Sequence, residues 1–84
     1  MEEIKKLLNS DKMIIGTSET MKALRANKLK KVFIASNADP KFVSDIEYYK
    51  KMSDVEIERL DLTNEEVGAF CRKPFHISVI GVLK

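Results

Sequence analysis

Met13-Ile-Ile-Gly-Thr-Ser-Glu-Thr-Met-Lys-Ala-Leu-Arg-Ala-Asn-Lys-Leu-Lys-Lys31 is the stretch on which the fold turns. Met13 to Ile15 form an apolar run that reads as a strand, and Gly16, Thr17, Ser18 and Glu19 read as the turn and cap of a helix. A strand, a tight turn and a helix in that order send the free amides of the first helical turn out at one edge of a sheet. Those amides and the helix dipole attract phosphate. Along the same helix, about Ser18 to Ala26, Lys22, Arg25 and Lys28 recur every three residues. Lys30 and Lys31 extend the charge, and no acid stands between Glu19 and Lys31. A solvated face is the bland reading of such a stripe, but solvated faces usually mix signs, and this one does not. Ser18 and Glu19 add hydrogen-bonding groups in front of the positive charge, a combination that can read base edges as well as phosphates.

Outward from this stretch, the elements alternate. Residues 2–9 place Ile4, Leu7 and Leu8 at helical spacing, with Glu2 and Glu3 in the first turn. Met21 and Leu24 face inward on the basic helix, and Asn27 is suited to a left-handed end. Lys31-Val-Phe-Ile-Ala-Ser36 is apolar without alternation, as a strand covered on both faces requires. Asp39 as cap and Pro40 as first residue predict a helix to about Met52, burying Phe42 or Val43, Ile46 and Tyr49. Val55 to Leu62 alternate as a one-sided strand whose phase shifts near Arg59. Thr63 and Glu66 match a capping box and open a short helix to about Cys71, a reading that outweighs Glu65 and Glu66 as an acid/base pair. Arg72-Lys-Pro-Phe-His76 is a basic loop, and Ile77 to Leu83 a last buried strand. The order αβαβαβαβ predicts an α/β fold with a four-stranded, parallel or mixed sheet and helices on both faces. In such sheets, ligands bind at the edge where turns follow strands.

The chain has 84 residues, 44% hydrophobic and 33% charged, which gives room for one domain over 1–84. Net charge is only +2, but residues 1–37 carry eight Lys/Arg against four Asp/Glu, and 38–84 carry seven against nine. One face therefore suits a polyanion, while Asp54 to Glu66 is acidic. Cys71 is the only cysteine, so neither a disulfide nor a cysteine metal site is expected. With no secretory or membrane-length apolar segment, the expectation is a cytoplasmic protein. Gly16, Gly68 and Gly81 are the only glycines, too few and too dispersed for a phosphate-binding loop. His76 is the sole histidine, and Cys71 reads as a small buried hydrophobe, so no nucleophilic pair emerges. Phe75 has two readings. Bordered by Arg72, Lys73 and Pro74, it resembles a platform for an unstacked base; in phase with Ile77 and Val79, it is the first inward residue of the last strand.

Four stretches, Ile15 to Arg25, Lys31 to Asn37, Asp45 to Tyr49 and Glu66 to Phe75, together resemble the kink-turn RNA-binding ribosomal protein superfamily, of the L-thirty-e and L-seven-Ae type. The resemblance implies a three-layer α/β/α sandwich whose last strand runs antiparallel to its neighbour. It also implies a non-enzymatic protein that grips kinked RNA at sheared G·A pairs, without cofactor, metal, membrane or small-molecule substrate, and monomeric when free. Gly16, Glu19 and Lys22 match the Gly-x-Asn-Glu-x-x-(Lys/Arg) pattern, which implies that Glu19 accepts from a guanine edge and Lys22 meets a phosphate or base. Lys73, Pro74 and Phe75 match the loop that cups an extruded nucleotide. Two positions depart from the pattern: Ser18 stands in place of asparagine, and Arg72 in place of the glycine after the last helix. The second departure implies either a strained left-handed helix end or a loop built differently. The chain ends soon after its last predicted strand, without the tail the ribosomal branch often carries, so both a ribosomal and a free-standing protein are expected readings. A protein-binding module acting through the acidic surface is the alternative.

Overall fold

The computed structural model describes residues 2–7 and 11–84. In chain order the elements are α1 (Glu2–Leu7), β1 (Met13–Ile15), α2 (Thr17–Arg25), β2 (Leu29–Ile34), α3 (Pro40–Lys50), β3 (Glu56–Arg59), α4 (Asn64–Phe70) and β4 (Val79–Leu83). This is the alternation expected. Leu8, Asn9 and the Leu7 side chain, part of the expected first helix, lie outside the described residues. The strands form one sheet in the order β1-β4-β2-β3. β4 pairs antiparallel with both β1 and β2, while β2 and β3 are parallel.

Both faces of the sheet are covered, which explains the unbroken apolar runs. On β2, Val32 and Ile34 face a core shared with Met21 and Leu24 of α2 and Val43 and Ile46 of α3. Phe33 and Ala35 face the opposite core, with Ile4 of α1 and Val67 of α4. Fully burying a side chain such as Phe33 or Ile34 contributes about 1.5–3 kcal/mol, so the two cores stabilise one sheet from both sides. The predicted phase shift of the third strand has the same origin. Val55 and Ile57 pack in the first core, Leu60 and Leu62 in the second. β3 therefore stops at Arg59 and does not continue to Leu62, because the chain crosses from one face to the other there. The last strand likewise begins at Val79, two residues later than expected.

Two helix starts follow their sequence signals closely. Asp39 caps α3, its Oδ1 accepting from Lys41 N at 2.9 Å, with Pro40 in the first turn. Thr63 Oγ1 accepts from Glu66 N at 3.3 Å while Glu66 Oε1 accepts from Thr63 N at 2.9 Å, a complete capping box. Since β1, β2 and β3 run in one direction and β4 in the other, the three turns that leave those strands and the loop that enters β4 gather at one edge.

Candidate nucleic-acid interface

Gly16 sets the entry to α2. It sits at φ 113° and ψ 149°, a conformation open to glycine and strained for other residues. Its amide donates to Val79 O at 3.3 Å, and its carbonyl accepts the first bond of the helix from Thr20 N at 3.1 Å. No side chain caps the helix. Ser18 is therefore not the cap that the sequence suggested; it is the second helical residue, exposed, with Thr17 before it and Glu19 after it. The amides of Thr17, Ser18 and Glu19 precede the first intrahelical donor, so they face outward unpaired by the helix. An uncapped, positively polarised helix start is an anion-seeking feature whose strength does not depend on Ser18.

The stripe behind this helix start divides into parts. Lys22, Arg25 and Lys28 are exposed, while Thr20, Met21, Ala23 and Leu24 are buried. Glu19, Lys22 and Lys28 line one open depression of about 380 Å³, floored by Ile14, Ala23 and Leu83, and Arg25 lies outside it. Lys31 leaves the stripe altogether. Its Nζ lies 3.3 Å from Glu56 and 3.1 Å from Glu58 across the β2/β3 pair, and 4.8 Å above the Phe33 ring. Position on a strand, with side chains alternating between faces, overrides the run of like charge seen in sequence.

The loop between α4 and β4 forms the second half of the candidate interface. Cys71 closes α4, and Arg72 follows at φ 58°. Arg72 N donates to Ala69 O and Lys73 N to Gly68 O, both at 3.0 Å, so the helix ends in a paired left-handed motif. Of the two forms the Arg72 position allowed, the protein adopts the strained one. Arg72, Lys73, Pro74 and His76 are exposed. Phe75 is 51% exposed, and the first inward residue is Ile77, at 1%. The ring is thus free to present a face to solvent, and the inward-strand reading of Phe75 is corrected. Cys71 is buried, as expected, and that burial pushes its thiol up, partly opposed by Lys73.

Backbone bonds hold these parts together: Gly16 to Val79 joins α2 to β4, Ala35 N to Ser78 O joins the β2 turn to the loop at 2.9 Å, and Ile77 N to Asn64 O joins the loop to α4 at 3.0 Å. Three residues that the sequence reading passed over brace the same edge. Asn37 Oδ1 accepts from Asn64 N at 2.7 Å, Asn37 Nδ2 donates to Asn64 Oδ1 at 3.2 Å, and Arg59 Nη2 donates to Ser36 O at 3.3 Å. In sequence, Asn37 stands only at the end of the Lys31 to Asn37 stretch, with nothing local to mark this role. Its partner, 27 positions away, carries no local signal. Among the described residues no group of three or more His, Cys, Asp or Glu is placed to hold a metal ion, and no helix is long and apolar enough to cross a membrane.

A family model described as the ribosomal protein L7Ae/L30e/S12e/Gadd45 family matches residues 1–84. The large ribosomal subunit protein eL30 of Sulfolobus acidocaldarius is 40% identical over 81 residues, covering 96% of this chain and 78% of that protein. The eL30 protein of Neurospora crassa is 36% identical over 77 residues, covering 92% of this chain and 71% of that one. Among solved structures, the Giardia lamblia 15.5kD RNA binding protein superposes with a TM-score of 0.81 at 21% identity, covering 96% of this chain and 68% of that one. At that identity the likeness shows the fold.

Proposed function

Because the chain belongs to the L7Ae/L30e/S12e/Gadd45 family of ribosomal proteins, we propose that it recognises kink-turn or related internal-loop RNA with sheared G·A pairs. It is a ribosomal-type RNA-binding protein and not an enzyme. On this reading residues 1–84 act as one domain, monomeric when free, on ribosomal or ribosome-associated RNA in the cytoplasm. The observation that supports the reading is that two surfaces suited to RNA lie toward one sheet edge. One is the uncapped start of α2 with Gly16, Thr17, Ser18, Glu19 and Lys22; the other is the Arg72–Phe75 loop, and the Gly16 to Val79 bond joins the first to the strand that follows the second. Amides and cations at the helix start meet phosphates, Glu19 accepts from base edges, and the half-exposed Phe75 ring stacks on an unpaired base, worth about 1–3 kcal/mol. Arg25 and Lys28 extend the field along the backbone.

The alternative, protein docking through the acidic segment, loses support from the ion pairs. Lys31 partly neutralises Glu56 and Glu58, and Glu66 is engaged in the capping box. Titration with a kink-turn RNA and with a plain duplex of equal length, at several salt concentrations, tests the proposal. With three to five phosphates met, log affinity should fall against log salt with a slope of roughly −2 to −5, and the kink-turn should bind more tightly. A slope near zero, or equal binding to the duplex, would refute kink-turn recognition.

A further inference from the structure

Asn27, at φ 55°, and Arg72, at φ 58°, are the two non-glycine residues with positive φ among the described residues. They occupy the same place in the same motif. After α2, Asn27 N donates to Leu24 O and Lys28 N to Ala23 O, both at 3.0 Å, repeating the pair that Arg72 and Lys73 make after α4. Both helices need a left-handed residue there. Asparagine tolerates that conformation, and glycine adopts it freely, but arginine has a Cβ that crowds the following carbonyl. The fold gains nothing visible in exchange. The Arg72 side chain is exposed and makes no hydrogen bond or ion pair among the described residues. Its neighbours in the loop are Lys73, stiff Pro74 and the half-exposed ring of Phe75.

We propose that the Arg72 guanidinium grips the phosphate adjoining the nucleotide that stacks on Phe75, and that this contact is why the strained residue stands where glycine would fold better. The inference rests on the RNA-binding reading. A guanidinium offers two parallel donors to a phosphate, which fixes the backbone of a splayed nucleotide more firmly than a lysine point charge does. Backbone strain and ligand grip then belong to the same residue, and substitution should separate them in opposite directions.

The experiment compares Arg72→Gly and Arg72→Ala with the native protein by thermal melting and by titration with a kink-turn RNA across salt. Arg72→Gly should melt higher, by roughly 4–8 °C, yet bind about tenfold more weakly with a salt slope shallower by about 1. Arg72→Ala keeps the Cβ, so it should melt like the native protein and lose the same affinity. Arg72→Gly binding as tightly as the native protein overturns the inference, and so does Arg72→Gly without a rise in melting temperature. Lys22→Ala serves as the control. If it weakens binding while Arg72→Gly does not, the RNA reading stands and only this inference falls. If the native protein binds no kink-turn, both fall.

Discussion

Gly68 of α4 lies directly beneath the Phe75 carbonyl, so close that a Cβ added to it would overlap the carbonyl oxygen and crowd the carbonyl carbon. The loop of the candidate interface is thus laid flat on the helix, and the absence of one methyl group sets its height. Backbone cannot rotate out of the way as a side chain can. Gly68→Ala should therefore cost about 1–3 kcal/mol of stability, the usual range for forcing extra volume into a packed site. It should also weaken kink-turn binding through the loop, with the salt slope contributed by Lys22 and Lys28 retained. Urea unfolding and an RNA titration check both; an unchanged unfolding midpoint would mean that the loop rides up freely.

The close fit at Gly68 also marks where sequence reasoning ends. Thr63, Glu66, Asp39 and Pro40 act within a few residues of their partners, so their caps were legible, and the covered strands showed in apolar runs longer than a one-sided strand would carry. Gly68 meeting Phe75, Asn37 meeting Asn64 and Lys31 turning to Glu56 and Glu58 are set by strand order and register, which no local spacing encodes. At the α2 start, Ser18 carries the stronger local capping preference, but Gly16, bonded to Val79, takes the cap position two residues earlier. Phe75 was ambiguous for a related reason: its phase with Ile77 matters only if the strand extends that far back, and β4 begins at Val79.

Thr20 offers a stability test away from the loop. It is fully buried, and its Oγ1 has no hydrogen-bond partner, while its methyl group would lie 3.2 Å from a Cβ on Gly81. An unsatisfied buried hydroxyl carries a desolvation cost, whereas a methyl group of similar shape does not. Thr20→Val should stabilise the protein by about 1 kcal/mol and leave RNA affinity unchanged. Thermal melting and one binding isotherm measure both.

Glu19 separates base reading from electrostatic attraction. It is exposed, sits in the first turn of α2 and lines the same depression as Lys22 and Lys28. A carboxylate facing a polyanion lowers affinity unless bases donate to it. Glu19→Gln should therefore tighten binding to a plain duplex and weaken binding to the kink-turn, each by a few-fold. Equal tightening for both RNAs would reduce Glu19 to an acid that favours the helix dipole.

Ser18 is one of the two positions that depart from the sequence pattern this chain resembles, and its observed position sharpens the prediction. As the second residue of an uncapped helix, exposed and facing outward, it is not committed to holding the helix start. Serine and asparagine differ little in helix propensity, so Ser18→Asn should leave stability nearly unchanged. What changes is the hydrogen-bonding inventory at the tip. A hydroxyl donates one proton and rotates freely, while an amide presents a donor and an acceptor together and can span a base edge. We expect Ser18→Asn to tighten kink-turn binding by on the order of 1 kcal/mol, the net worth of one added hydrogen bond. The double change with Glu19→Gln should erase that gain if both side chains read the same sheared pairs, since residues in one network do not act additively. Titration of the four proteins with one RNA decides it. Independent effects of the two substitutions would place Ser18 on the phosphate backbone and leave Glu19 alone at the bases.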